Sequence, residues 1–181
     1  KLTDYFKRSR ELGNARLAYL EDLNQKEYHL VKGLEGMPYI CIRVPTGGGK
    51  TAIAVWGIQP TLEHWLQKER GVVLWIAPSS TIVDQTIAAL KDRSHPYREK
   101  LERDFAGGLT ITDLKGALYL QQSTLTSETV IIVTTMAGLR QKDEENLLVY
   151  RQNGALLHHF TNATEPQRAI LREGEENGED P

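Results

Sequence analysis

The stretch "RVPTGGGKT", Arg43 to Thr51, sets three consecutive glycines, a lysine and a threonine between the apolar runs "YICI" and "AIAVW". Residues of these types in this order suit one chemistry, the holding of a chain of phosphates. Gly47, Gly48 and Gly49 carry no Cβ, so the backbone can take otherwise forbidden angles and turn several N–H groups toward one anion. A helix beginning near Lys50 adds unpaired N–H donors and a partial positive charge at the same place. Lys50 is placed to reach the β- and γ-phosphates of a nucleotide, Thr51 to offer its hydroxyl to Mg²⁺, and Thr46 to complete the loop. The pattern G-x-x-x-x-G-K-[ST] asks for a glycine six residues before the lysine, and here that residue is Val44.

A phosphate loop needs a strand before it and a helix after it. "YICIRV" (Tyr39 to Val44) follows the breakers of "EGMP" and reads as a short buried strand. Residues 50–58 are apolar nearly all round, as in a buried helix that Pro60 should end or kink. Leu62, Trp65 and Leu66 continue the helical spacing to about Lys68. "GVVLWIAP" (Gly71 to Pro78) is a second strand, and "SSTIVDQTIAAL" a helix with Ser80 as its expected N-cap. A third strand is expected near 108–112, a short helix over 115–122 and a fourth strand near 129–134, where "ETVIIVTT" is rich in β-branched residues. Before all of these, residues 1–35 read as a charged helical segment. Strands alternating with helices predict an α/β domain with a largely parallel sheet.

With these elements in place, the sequence resembles superfamily 2 helicases and translocases over roughly residues 25–140. "PTGGGKT" looks like their motif I, "VVLWIAPSSTIVDQT" like motif Ia, and "VIIVTTMAGLR" like the later strand-to-loop motif with paired threonines. Within that group "RVPTGGGKT" and "IAPSSTIVDQT" look most like the type III restriction enzyme Res subunit family and its DEAH-type relatives. The resemblance implies a P-loop NTPase, RecA-like three-layer sandwich, of which residues 36–160 would be part of the first lobe. It implies ATP and Mg²⁺ as cofactors and DNA, or RNA, as partner, together with a modification subunit in a restriction setting. It also implies that Pro78, Ser79, Ser80, Thr134 and Thr135 line the path of a nucleic-acid strand, and that Gln25 holds adenine. The residue chemistry agrees, since small hydroxyls and backbone N–H groups grip phosphate oxygens without reading sequence.

Hydrolysis needs more than a cradle: a carboxylate at a strand end to hold Mg²⁺ and a second group to orient water. The family places a D-E-x-H tetrapeptide there. "KDEEN" (Lys142 to Asn146) follows a polar stretch and "GEENGEDP" follows no strand, so both read as charged surface. The chain therefore reads as the front of a lobe, expected to bind ATP weakly and not to turn it over. Two rival readings stand beside the helicase: a P-loop ATPase or phosphotransferase that does not act on nucleic acid, and a nucleotide-binding module without hydrolysis.

Bulk composition adds bounds rather than function. The 181 residues, 40% hydrophobic and 25% charged with a net charge of −2, suit a soluble globular chain and advertise no global affinity for polyanions. No apolar run approaches the roughly 18 residues of a membrane span, and "KLTDYFKRSR" lacks a signal peptide's apolar core and an initiator Met, so the chain reads as trimmed. Cys41, the one cysteine, sits in an apolar run and reads as a packed thiol in a reducing cytoplasm. Trp56, Trp65 and Trp75 read as packing residues. The mixed charges of 91–104 read as a solvated face, and residues 161–181, with six acidic and two basic residues, as an exposed acidic loop or tail.

Overall fold

The structure, a computed structural model, describes residues 1–22, 28, 31–33, 36–140, 164–166 and 168–169. The chain divides into two compact units, Lys1–Glu69 and Arg70–Pro181.

The first unit is helical. Helices α1 (Leu2–Leu12) and α2 (Ala15–Asp22) pack on each other around a core of Tyr5, Phe6, Ala15 and Ala18, with Tyr19, Tyr28, Ile40 and Trp65 against it. Gly13 ends α1 in the left-handed region, φ 57°, and its N–H closes on the Arg10 carbonyl. The Asn14 side chain then accepts from the Leu17 N–H at 3.1 Å, so the turn between the helices is capped on both sides. Helix α3 (Lys50–Pro60) continues as one π-helical segment, Thr61–Leu66. Pro60 has no N–H to give the preceding turn. The chain stays helical past it, but its hydrogen bonding widens, with the Thr61 hydroxyl donating to the Gly57 carbonyl at 2.7 Å. It stops at Gln67, φ 52°.

Three expectations fail in this unit. Residues 39–44 form no strand, because nothing among the described residues pairs with them, and Tyr39, Ile42 and Cys41 are exposed. An apolar run can be extended, but a strand needs a ladder partner. The Cys41 thiol is accordingly not packed. Helix α3 buries only Val55 and Ile58 and leaves Ile53 and Trp56 at the surface, so Trp56 is not a core residue.

The second unit is α/β. Its elements run β1 (Val72–Ala77), α4 (Ser80–Lys91), α5 (Pro96–Asp104), β2 (Leu109–Asp113), α6 (Leu114–Ala117), α7 (Gln122–Ser127), β3 (Thr129–Thr135) and α8 (Met136–Leu139). The sheet is parallel throughout in the order β1-β3-β2, with Val72 opposite Val130 and Leu109 opposite Thr129. The last of the described strands in sequence is thus the middle one of the three in space. Its continuous run of β-branched residues explains the place: Val130, Ile131 and Val133 are wholly buried, each removal from water favouring the fold by about 1.5–3 kcal/mol. The register puts Val72, Leu74 and Ile76 on the same face as Ile132 and Thr134, and at the β1 edge this face lies open. The mixed-charge segment 91–104 is mostly helix α5, which buries Leu101 and closes on itself through pairs such as Arg98–Glu102 at 2.8 Å.

Candidate nucleotide-binding loop and nucleic-acid groove

Each strand of the second unit hands over to the next helix through a capping side chain. Ser79 accepts from the Ile82 N–H at 3.4 Å, Asp113 from Gly116 at 2.7 Å and Thr135 from Gly138 at 2.9 Å. The cap of α4 is therefore Ser79 and not Ser80: Ser79 is extended, φ −148° and ψ 160°, while Ser80 already belongs to the helix. After β2 and β3 the pattern repeats at identical offsets, "TDLKG" (Thr112 to Gly116) and "TTMAG" (Thr134 to Gly138). Both glycines are close-approach positions. A Cβ on Gly116 would run into the Thr112 hydroxyl oxygen, and one on Gly138 would stand 2.7 Å from that of Thr134.

Neighbouring strands that end at one level leave an open groove of about 860 Å³ beyond β1 and β3, with Pro78, Ser79, Ser80, Thr135, Met136 and Arg140 in its wall. Four of the five residues expected on a strand path are therefore together. Thr134 is 5% exposed, absent from the wall, and donates its hydroxyl to the Thr135 carbonyl at 3.4 Å. Met136 and Arg140 join the wall although residue type alone does not single them out. Both lie in the run "TTMAGLR" after the paired threonines, Met136 directly at the strand end and Arg140 one short helix later. Arg140 has no carboxylate partner among the described residues.

In the first unit the glycine loop takes the shape its composition asks for. Gly47 and Gly49 have φ of 78° and 79°, both left-handed, and Gly49 leads directly into α3, whose start no side chain caps among the described residues. Between them Gly48 donates its N–H to the Pro45 carbonyl at 3.0 Å. Lys50 folds back over the loop, its ammonium donating to the Val44 and Pro45 carbonyls at 3.1 Å each. Thr46, Gly47, Gly48 and Lys50 are exposed and Thr51 is half-buried. Gln25 lies outside the described residues, as do "KDEEN" and most of the acidic end.

A sequence profile described as DEAD/DEAH box helicase matches residues 25–157, most of the chain. The chain belongs to the DEAD/DEAH box helicase family. No curated protein and no solved structure matches it. Family membership and a parallel α/β sheet together give this helicase domain a RecA-like fold, with three strands among the described residues. They also place it, in general terms, among ATP-dependent helicases that act on nucleic acid. The matched span of the helicase domain contains both the glycine loop and the groove. No helix among its described residues is long and apolar enough to cross a membrane.

Proposed function

We propose that the chain binds MgATP on Thr46–Thr51 and a DNA strand along the groove walled by Ser79, Thr135 and Arg140, as part of an ATP-driven DNA translocase. One observation carries the nucleotide half: two left-handed glycines deliver an uncapped eleven-residue helix to an exposed loop. That geometry fits a polyphosphate, because the first-turn amides have no internal acceptor and the helix dipole favours an anion there. Thr46, Gly47 and Gly49 supply backbone donors while Gly48 shapes the turn through its bond to Pro45; Lys50 supplies a cation that leaves the Val44 and Pro45 carbonyls to reach the anion, and Thr51 one neutral oxygen. A single hydroxyl suits Mg²⁺ that is largely held by the phosphates and water. Bound MgATP would supply the phosphoanhydride whose hydrolysis drives movement. Gln25 is the adenine contact this reading adds.

In the second half, the groove offers hydroxyls from Ser79, Ser80 and Thr135 and a cation from Arg140, with no carboxylate in its wall among the described residues. Such a surface grips phosphate and ignores base identity, as a translocating motor requires. The loop "RVPTGGGKT" with "IAPSSTIVDQT" supports the finer assignment to a type III restriction subunit acting on DNA beside a modification subunit.

Titrating the chain with a fluorescent ATP analogue and Mg²⁺ tests the first half. Lys50→Ala removes a charged hydrogen-bond donor worth about 1.5–3 kcal/mol and is expected to weaken binding at least tenfold. Equal binding by the variant would sink the assignment. Single-stranded DNA and RNA of equal length test the second half, and binding to neither favours a P-loop ATPase that works without nucleic acid.

A further inference from the structure

The N-terminal helices and Tyr28 contact the chain on either side of the glycine loop. On the downstream side, α1 packs against α3 and the π-helical segment that continues it. Leu2 Cδ2 comes within 3.7 Å of where a Cβ on Gly57 would stand. Eight residues on, the Arg10 guanidinium donates to the Trp65 carbonyl and to Gln67 Oε1, both at 2.6 Å. Arg10 thus fastens the point where the segment leaves its helical path at Gln67, a non-glycine residue at φ 52°. Trp65 itself rests against the α1–α2 core.

On the upstream side the link is a chain of tyrosines. Tyr5 of α1 meets Tyr19 of α2 edge-on at 6.1 Å, and Tyr19 meets Tyr28 at 5.1 Å. The Tyr28 hydroxyl accepts from the Tyr39 N–H at 3.2 Å and donates to the Met37 carbonyl at 3.4 Å. It therefore takes the place of a neighbouring strand for the extended residues that lead into the loop, and Ile40 packs against the same core.

We propose that Tyr28, through the chain leading into the phosphate loop, and Arg10, through the far end of the helical segment leading out of it, are positioning residues for nucleotide binding; this rests on reading Arg43–Thr51 as that loop. An anion site built from backbone amides works only if the amides converge, and tolerances are about half an ångström. Residues 39–44 have no ladder among the described residues to impose that precision. The α1–α2 hairpin imposes it instead, so part of the ordering is complete before the nucleotide arrives.

Tyr28→Phe keeps the ring stack and removes both hydrogen bonds. Arg10→Gln changes an exposed side chain and so leaves the fold intact, and Arg10→Lys retains one of two bonds. Two measurements are made on the full chain: hydrogen exchange at the Gly47–Ala52 amides without nucleotide, and the affinity for a fluorescent ADP analogue with Mg²⁺. Each of Tyr28→Phe and Arg10→Gln is expected to speed exchange at those amides and to weaken affinity about fivefold, the size of one net hydrogen bond removed. Arg10→Lys is expected to fall between, with the melting temperature of the second unit unmoved. Faster exchange with unchanged affinity overturns the proposal, as does unchanged exchange. A wild-type chain that binds no nucleotide defeats the loop assignment itself, and the two failures are read from different samples.

Discussion

Val44 closes over Gly48: a Cβ on that glycine would stand 2.5 Å from Val44 Cγ1 and 3.0 Å from the Pro45 carbonyl oxygen. The residue that departs from the usual glycine pattern is thus the one that makes the middle glycine obligatory. Gly48→Ala is expected to distort the loop at a cost of about 1–3 kcal/mol, the usual range for overpacking, and to weaken nucleotide binding accordingly. Adding Val44→Ala removes the nearer clash and leaves the carbonyl, so recovery should be partial. Calorimetric titration of the single and double variants measures the coupling, and strict additivity would refute the contact.

The same reasoning applies at the two strand ends where glycine meets threonine. Gly138→Ala would push a methyl group toward the Thr134 hydroxyl, and this residue is buried beside the central strand's end. A loss of about 1–3 kcal/mol is expected, seen as a lower midpoint in denaturant unfolding. Thr134→Ala in the same chain should restore much of it. If Gly138→Ala is neutral alone, the close approach is not real.

Arg140 gives the groove a cation that carries no base information. Arg140→Gln should weaken binding of unrelated single strands to the same degree. The salt dependence should change with it, the slope of log affinity against log salt falling by about 0.7 when one phosphate is no longer neutralised. Measuring affinity at several salt concentrations checks both, and an effect confined to one sequence would contradict the assignment.

Alkaline pH should undo the first unit selectively. Burial pushes the Tyr5 phenol above its ordinary range, the Tyr28 hydroxyl beside it adds to the effect, and Ser9 opposes it. Because the folded value is raised, the neutral form is the one the fold favours. Its contribution is complete below about pH 10, the unfolded value, and is lost as pH rises through the folded value. Circular dichroism across that range should show helix lost from α1 and α2. Tyr5→Phe should remove this transition without cost at neutral pH, since the Tyr5 hydroxyl is buried with no well-formed hydrogen bond among the described residues.

How much of the fold is legible in the sequence depends on whether a signal is local. Strands at 72–77, 109–113 and 129–135 appear within a residue or so of where their β-branched runs end, because alternation and breakers are written along the chain. The run at 39–44 carries the same signal and forms no strand, since pairing is a property of two segments and periodicity describes only one. The left-handed turns of the glycine loop are legible because backbone freedom can be read from residue type. The cap of α4 is displaced by one residue because two serines stand side by side, and only φ decides between them. The Arg10 and Tyr28 anchors join positions 55 and 11 apart, and no spacing rule connects those.

Ser79 and Thr135 end their strands by accepting an N–H from the helix that follows. A hydroxyl that spends a lone pair in this way keeps its proton to give. The atoms that start these helices therefore also keep a donor for the groove they line, held in register by the very turns they secure. Mutation to alanine would confuse architecture with adhesion. Aspartate would separate them, because it can still cap a helix while repelling an anion, and a second unit that melts normally yet ignores DNA would show one oxygen serving two masters.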